Sequence, residues 1–393
     1  MKDNFLQKHL SIRKEQGLYR RLVSENNLVD FSSNDYLGFS RSKELFDKIC
    51  LEVEHVSRKY GMKIGSTGSR LLTGNSQYVE VLEKNIADYH KAEAGLIFNS
   101  GYDANLGLLS SVPKKGDIVL YDELSHASIY DGIRLSKASS FPFKHNDLNH
   151  LEERLQFFDR NNTTANYFVV VESVYSMDGD FAPLYEIALL CEKYNANLVV
   201  DEAHATGVFG KKGEGRVVET HLQDKVFARI HTFGKALGCH GAIVLGSNLL
   251  RNYLINFSRP FIYTTALSSH ELASIKSAYE LLNNSNHIIL NINNLISLFN
   301  LIIDKKNINL ITKSKSLIQC ISASGNNSAR VLAELIQKDG FDVRAILSPT
   351  VPKGKERIRI CLHTFNTQQE IEQLFVSLQT HMPTMEKSNL KAI

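Results

Sequence analysis

The amino-acid sequence predicts an α/β protein, with a large domain on a mainly parallel sheet followed by a smaller α+β domain. Three observations predict it. Between residues 95 and 245, short apolar runs of strand length alternate with helix-patterned stretches, the order that lays helices on both faces of parallel strands. After Ser268 the alternation gives way to long helical patterning and then short strands. A chain of 393 residues also exceeds what one small core organises, so two domains are expected.

The elements follow in order. Residues 1–27 are polar and begin as a helix that ends near Gly17. A short strand is expected at 28–32. Residues 77–91 place Tyr78, Leu82, Ile86 and Tyr89 on one helix face. Strands are then expected at 95–98, 117–121, 167–171, 198–201, 229–233 and 242–245, with helices at 102–111, 127–136, 148–158 and 184–194. Beyond Ser268 a helical pattern runs toward Ile303. It is followed by a strand at 317–322, a helix at 328–338, strands near 343–347 and 358–362, and a last helix from Gln368. The resulting division is an N-terminal arm (1–44) packed on the small domain, a large domain (45–270) and a small C-terminal domain (271–393).

Composition narrows the function classes. Apolar residues make up 43% and charged residues 22%, ordinary values for a globular chain. The formal charge of +3 arises from 45 basic and 42 acidic residues. Without a clustered basic run, that balance points away from nucleic acid and anionic membrane as partners. The start lacks the apolar stretch of a signal peptide. The most apolar long run, 288–303, is interrupted by Asn291, Asn293, Asn294 and Asn300 and does not read as a membrane span. Five cysteines without metal-ligand spacing read as reduced thiols in a cytoplasmic protein, and no metal site is expected.

The chemistry starts at Lys235, in His231-Thr-Phe-Gly-Lys-Ala-Leu-Gly238. It stands 34 residues after Asp201, which ends the apolar run of Asn197-Leu-Val-Val-Asp-Glu-Ala-His204. A lysine in a glycine-bounded turn is usually a solvated loop residue. Paired with a strand-ending aspartate, it fits pyridoxal phosphate, which needs an amine for its aldehyde and a carboxylate to keep its ring nitrogen protonated. Both would stand at the carboxyl ends of neighbouring strands, where open α/β sheets bind ligands. Phe98-Asn-Ser-Gly-Tyr102 runs from strand to helix, and its backbone N–H groups could receive a phosphate. An ordinary helix cap is the plainer reading of that segment alone. His126 opens a helix where its imidazole could stack on a ring, and Ser176 follows a strand end.

Those segments belong to a longer ordered series. Asn34-Asp-Tyr-Leu-Gly38, Gly65-Ser-Thr-Gly-Ser-Arg70, Asn99-Ser-Gly-Tyr102, Leu124-Ser-His-Ala-Ser128, Ser176-Met-Asp-Gly-Asp180, Asp201-Glu-Ala-His204 and Thr232-Phe-Gly-Lys235 resemble the α-oxoamine synthases. Pro349-Thr-Val-Pro352 and Arg357-Ile-Arg-Ile360 extend the likeness, which covers about residues 30 to 375. These are fold-type-I pyridoxal-phosphate transferases that condense an amino acid with an acyl thioester and lose carbon dioxide. Asp201-Glu-Ala-His-Ala-Thr-Gly207, Lys144-His-Asn-Asp147 and His363-Thr-Phe-Asn366 point to the branch that joins L-alanine to a pimeloyl thioester. A glycine-using sister enzyme and a non-catalytic subunit of the same fold remain open alternatives.

The resemblance implies a role for each matching residue. Lys235 bonds the cofactor aldehyde, and Asp201 faces the ring nitrogen. His204 and Ser176 approach the ring oxygen, and His126 stacks on the ring and meets substrate. Ser100, Gly101, Tyr102 and Thr232 surround the ring and its phosphate. Thr264 and Thr265, in Ile262-Tyr-Thr-Thr-Ala266, reach the phosphate of a partner subunit in a homodimer with shared active sites. Arg359 pairs with the amino-acid carboxylate, a task suited to a guanidinium fork. Asn34 and Thr350 line the substrate side, and Arg20 in the arm, or its neighbour Arg21, contacts substrate. The acyl carrier is coenzyme A or an acyl carrier protein.

Overall fold

The computed structural model describes residues 3–22, 24, 27–161, 164–306, 310–312 and 314–389. Its centre is a seven-stranded sheet in the order Ala94–Phe98, Ala242–Gly246, Ala228–Thr232, Ala196–Asp201, Tyr167–Glu172, Ile118–Asp122, Ser139–Phe143. Ala242–Gly246 runs antiparallel to both of its neighbours, and every other pairing is parallel. The inner strands read as near-continuous apolar runs because helices cover both faces. On one face, Leu96, Val119, Phe168, Val170, Val199 and Ile230 pack with Ala104, Leu108 and Ile129 of the helices Gly101–Ser111 and Ala127–Ser136. On the other, Leu120, Val169, Val171, Leu198 and Val200 meet Ile187 and Cys191 of the helix Leu184–Lys193.

Four features depart from the sequence expectation. The strand Ser139–Phe143 was not foreseen: it is partly exposed and holds Pro142, the pattern of an edge strand, where a missing N–H is tolerated. The helices Lys43–Tyr60 and Asn248–Phe257 also went unread, although Ser42 and Ser247 cap their first turns by accepting from Leu45 N (3.1 Å) and Leu250 N (3.1 Å). The strand Leu310–Thr312 is likewise additional. Finally, the helical pattern after Ser268 is two helices, Ser269–Asn283 and Asn286–Lys306. The break falls at Asn284 and Ser285, residue types whose side chains compete with the helix for backbone hydrogen bonds. Among the described residues the second of these is the one helix long and apolar enough to cross a membrane. It buries Ile292, Ile296, Phe299 and Ile303 along one face in the protein core.

A four-stranded antiparallel sheet, in the order Arg344–Ile346, Arg357–Cys361, Ile318–Ser322, Leu310–Thr312, lies C-terminal to these helices. The arm strand Val29–Asp30 pairs in parallel with Phe341–Asp342, so the arm is stitched to the C-terminal part of the chain. Cys361 N donates to Phe31 O (2.8 Å), and Thr364 N donates to Tyr36 O (2.9 Å). His363 reaches Ser33 O through Nε2 (3.0 Å) and stacks on Phe365. Gly38 has φ +69°, and a Cβ there would fall 2.9 Å from the Phe365 ring. The stretch His363-Thr-Phe-Asn366 is therefore the clamp that holds residues 31–38 in place.

Lys144-His-Asn-Asp147 does a similar job at the sheet edge. His145 bridges Asp122 (Nδ1 to Oδ1, 2.9 Å) and Asp180 (Nε2 to Oδ2, 2.7 Å). Burial alone would lower its pKa, but the two carboxylates on its ring nitrogens raise it to about 10. The imidazolium thus ties the end of Ile118–Asp122 to the turn that carries Ser176.

Candidate active site

Three neighbouring strands end in polar side chains at the carboxyl edge of the central sheet: Tyr167–Glu172, Ala196–Asp201 and Ala228–Thr232. Glu172 and Asp201 are in parallel register and project to the same face. The turn after Thr232 delivers Lys235. It closes through Gly238 N to Lys235 O (2.9 Å) and Cys239 N to Phe233 O (2.8 Å). Gly238 has φ +62°, and a Cβ there would lie 2.3 Å from Ser40 N, so this turn packs against the arm only as glycine.

Lys235 Nζ stands 2.7 Å from His204 Nε2, and His204 Nδ1 stands 2.7 Å from the hydroxyl of Tyr36. Tyr36 donates to Asn34 Oδ1 at 3.2 Å, and Arg359 Nη2 donates to the same oxygen at 3.0 Å. Arg359 Nε donates to Ser176 O at 2.7 Å. The chain fixes a tautomer. Arginine can only donate, so the atom it meets is the amide oxygen, and the phenol proton goes to that oxygen too. The phenol oxygen then accepts from His204 Nδ1–H, which leaves Nε2 bare to accept from the lysine amine.

Asp201 is held on its other side. Asn105 Nδ2 donates to Oδ2 (2.7 Å), and Ala203 N donates to Oδ1 (2.8 Å). The same Asn105 nitrogen reaches Ser128 Oγ (3.1 Å), which lies 2.8 Å from His126 Nδ1. Burial and the Arg359 charge push Lys235 down to about 8, against the pull of Asp201 and Glu172. His204 is held well below the usual histidine range by burial, then by Lys235 and Arg359. Burial also lowers His126, with Asp201 opposing and Lys235 assisting. The cluster therefore offers a partly deprotonated amine and neutral imidazoles around one carboxylate.

Beside the cluster, Ser100 caps the helix Gly101–Ser111 by accepting from Asp103 N (3.0 Å). A Cβ on Gly101 would meet Thr232 Oγ1 at 3.5 Å, so this helix start adjoins the strand leading to Lys235. Asn99 Nδ2 donates to Thr264 Oγ1 (3.2 Å) and Thr265 O (2.9 Å), which sets both threonines next to the same helix start in their own chain. Tyr102 is exposed and its hydroxyl donates to Asp131.

The structure thus gathers Lys235, His204, Arg359, Asn34 and the Ser176 backbone into one hydrogen-bonded network and Asp201 and His126 into a second, with Ser100, Gly101 and Thr232 alongside. Thr350 lies exposed on the loop after Arg344–Ile346, and Arg20 is exposed on the arm beyond Gly17, whose carbonyl accepts from Arg330. Arg21 lies over the Tyr19 ring at 5.9 Å. Neither Arg20 nor Thr350 joins the network around Lys235. Sequence reasoning passed over Tyr36, Asn105, Ser128 and Glu172 as site residues. Asn105 left a trace: it is a large polar residue among the mostly apolar buried residues of Gly101–Ser111.

This donor set fits pyridoxal phosphate: an amine lowered to about 8, a buried carboxylate held by two donors, and a helix N-terminus for an anion. Comparison with known proteins agrees. The family model described as aminotransferase class I and II matches residues 26–378. The chain belongs to this family. Within it, the chain is 43% identical over 400 residues to 8-amino-7-oxononanoate synthase of Emericella nidulans, covering 96% of each. It is 35% identical over 391 residues to the synthase of the same name from Lysinibacillus sphaericus, covering 96% of this chain and 98% of that one. Among solved structures, 8-amino-7-oxononanoate synthase of Francisella tularensis superposes with TM-score 0.77 at 28% identity, covering 94% of this chain and all of that one. Serine palmitoyltransferase of S. paucimobilis gives TM-score 0.87 at 24% identity over 98% of both chains, a likeness of fold. The fold is the fold-type-I transferase fold that the sequence predicted.

Proposed function

We propose that this family member is a pyridoxal-phosphate-dependent acyltransferase that condenses L-alanine with a pimeloyl thioester to 8-amino-7-oxononanoate, in biotin biosynthesis. The observation that carries the reading is the Lys235–His204–Tyr36–Asn34–Arg359 chain, which links an amine to a carboxylate-binding guanidinium. Full-length likeness to enzymes of that name supports the substrate assignment.

Pyridoxal phosphate, when bound, supplies an electron sink for the amino acid's α-carbon. Lys235 would hold it covalently and, once freed, take the α-proton at Nζ. Its lowered pKa suits that work, since a general base serves best near the working pH. Asp201, fixed by Asn105 and Ala203 N, would keep the ring nitrogen protonated. Ser100, Gly101 and Thr232 would receive the phosphate, with Tyr102 beside the ring. His126, oriented by Ser128, would cover one ring face and meet substrate, while His204 and Ser176 would approach the ring oxygen. Arg359 would pair with the alanine carboxylate, Asn34 and Thr350 would line the substrate side, and Arg20 or Arg21 of the arm would contact substrate. The alanine α-carbon would bond to the thioester carbonyl carbon as the carbon–sulfur bond breaks and the thiol of coenzyme A or an acyl carrier protein leaves. That α-carbon would then lose carbon dioxide and take a proton in its place.

A homodimer with shared active sites belongs to the same proposal, with Thr264 and Thr265 serving the partner's cofactor. Exposed apolar side chains near these residues support it: Met62, Ile64, Leu72 and Tyr263 are 72–91% exposed in the single chain. The division at residues 44 and 270 and a cytoplasmic location belong to the same proposal, the latter consistent with five free cysteines. The decisive assay compares kcat/KM for alanine plus pimeloyl thioester with glycine plus acetyl-CoA, glycine plus succinyl-CoA, and serine plus palmitoyl-CoA. One methyl in a pocket is worth only about 1–3 kcal/mol, so residual glycine turnover is expected. A sister pair that wins by roughly tenfold, about 1.4 kcal/mol, would overturn the substrate assignment.

A further inference from the structure

Glu172 has no part in the chemistry above, yet it ends the strand next to Asp201 and is 3% exposed. Parallel register sends its carboxyl to the same face as that of Asp201. Its Oε1 is buried with no hydrogen-bond partner, and the backbone N–H of His126 stands near the carboxyl group. Two carboxylates side by side on one buried face repel, and an orphaned charged oxygen carries the full desolvation cost. A proton on that oxygen removes both penalties. Asp201 is already satisfied as an anion by Asn105 and Ala203 N, so the proton belongs on Glu172.

We propose that Glu172 is a positioning residue that works as a neutral acid. Its uncharged carboxyl fills the space beside Asp201 at the His126 helix start, and it leaves Asp201 as the single negative charge on that face. The proposal rests on the reading of Asp201 and His126 as cofactor contacts. Around Glu172 stand Asp201 and, farther off, Asp122 on the flanking strands, Lys235 from the turn, His126 at the helix start, and Tyr130 and Tyr175. Burial, then the Asp201 charge, raise Glu172 to about 8, with Lys235 and the His126 N–H opposing.

Infrared difference spectroscopy of wild-type and Glu172→Gln holoprotein at neutral pH reads the proton directly. The expected result is a protonated-carboxyl carbonyl band in wild type that the variant lacks. Glutamine preserves the shape and the neutrality, so Glu172→Gln should keep kcat within about threefold, whereas Glu172→Ala leaves a cavity beside Asp201 and His126 and should lose roughly tenfold or more. Absence of the band, or a Gln variant as impaired as the Ala variant, overturns the proposal. If Glu172→Ala does not fold, the band and the Gln variant still decide it. Failure of Lys235 to carry the cofactor would instead sink the functional reading and leave the band unaffected.

Discussion

At the residue scale, the network makes three predictions. Lys235→Ala should lose the adduct that borohydride traps on the wild-type protein, together with the condensation. Recovery of the wild-type adduct on another lysine, by peptide mass mapping, would refute the assignment. Because Lys235 is lowered to about 8 and reacts as a free amine, cofactor uptake by the cofactor-free protein should quicken as pH rises and level off above about 8. A stopped-flow absorbance series from pH 6 to 10 checks this, and a rate still climbing past pH 10 would contradict it. Tyr36→Phe removes the phenol that sets the His204 tautomer and shares Asn34 with Arg359. The loss of a buried bond, about 1–2 kcal/mol, should slow kcat and raise KM for alanine, each several-fold. An effect on neither would show that the chain is incidental. Lys235, Asp201 and His204 could be singled out in the sequence because each sits in a short motif at a strand end, and Arg359 because it lies in the charged–apolar alternation of the strand Arg357–Cys361. Tyr36, Asn105, Ser128 and Glu172 were not singled out, because their importance comes from the side chains that folding sets against them.

At the element scale, the inner strands were read nearly to their ends, since burial on both faces imposes unbroken apolar runs. What escaped was what water or local capping decides: the exposed edge strand Ser139–Phe143, the Ser42-capped helix Lys43–Tyr60, and the break at Asn284 and Ser285. Two stretches quoted for their resemblance, Lys144–Asp147 and His363–Asn366, are structural clamps whose contacts lie far away in sequence. The first carries a pH signature. Held at about 10, above its ordinary value near 6.5, His145 binds its proton more tightly folded than unfolded. Its stabilisation is therefore fully present below pH about 6.5 and is lost as pH rises through about 10. His145→Gln should flatten that alkaline fall in Tm. It should also cost about 3 kcal/mol or more at neutral pH, because buried Asp122 loses its ion-pair partner. A variant whose Tm still tracks wild type from pH 7 to 10 would place the alkaline transition elsewhere.

At the scale of the whole molecule, the site is assembled from distant stretches of chain: the arm supplies Asn34 and Tyr36, the central sheet supplies Asp201 and Lys235, and the C-terminal sheet supplies Arg359. One apolar core runs without interruption from Leu82 and Ile86 through Ile275 and Leu282 to Ile318 and Ile360, so these parts are packed as one body. The surface at Tyr263 is apolar and exposed, and Met62, Ile64 and Leu72 are exposed apolar side chains as well. Tyr263 adjoins Thr264 and Thr265, which Asn99 holds next to the phosphate-side helix start. If that face is the contact between two copies, each site depends on both chains. A Lys235→Ala protomer keeps its threonines, and a Thr264→Ala, Thr265→Ala protomer keeps its lysine, so a mixed dimer contains one complete site. With free subunit exchange at equal concentrations, half the dimers are mixed and activity should return to about a quarter of wild type from two nearly inactive parents. Sedimentation at assay concentration should show a dimer throughout. An active monomer, or a mixture no better than its parents under proven exchange, would mean that the threonines serve their own chain and that each site is complete in one subunit.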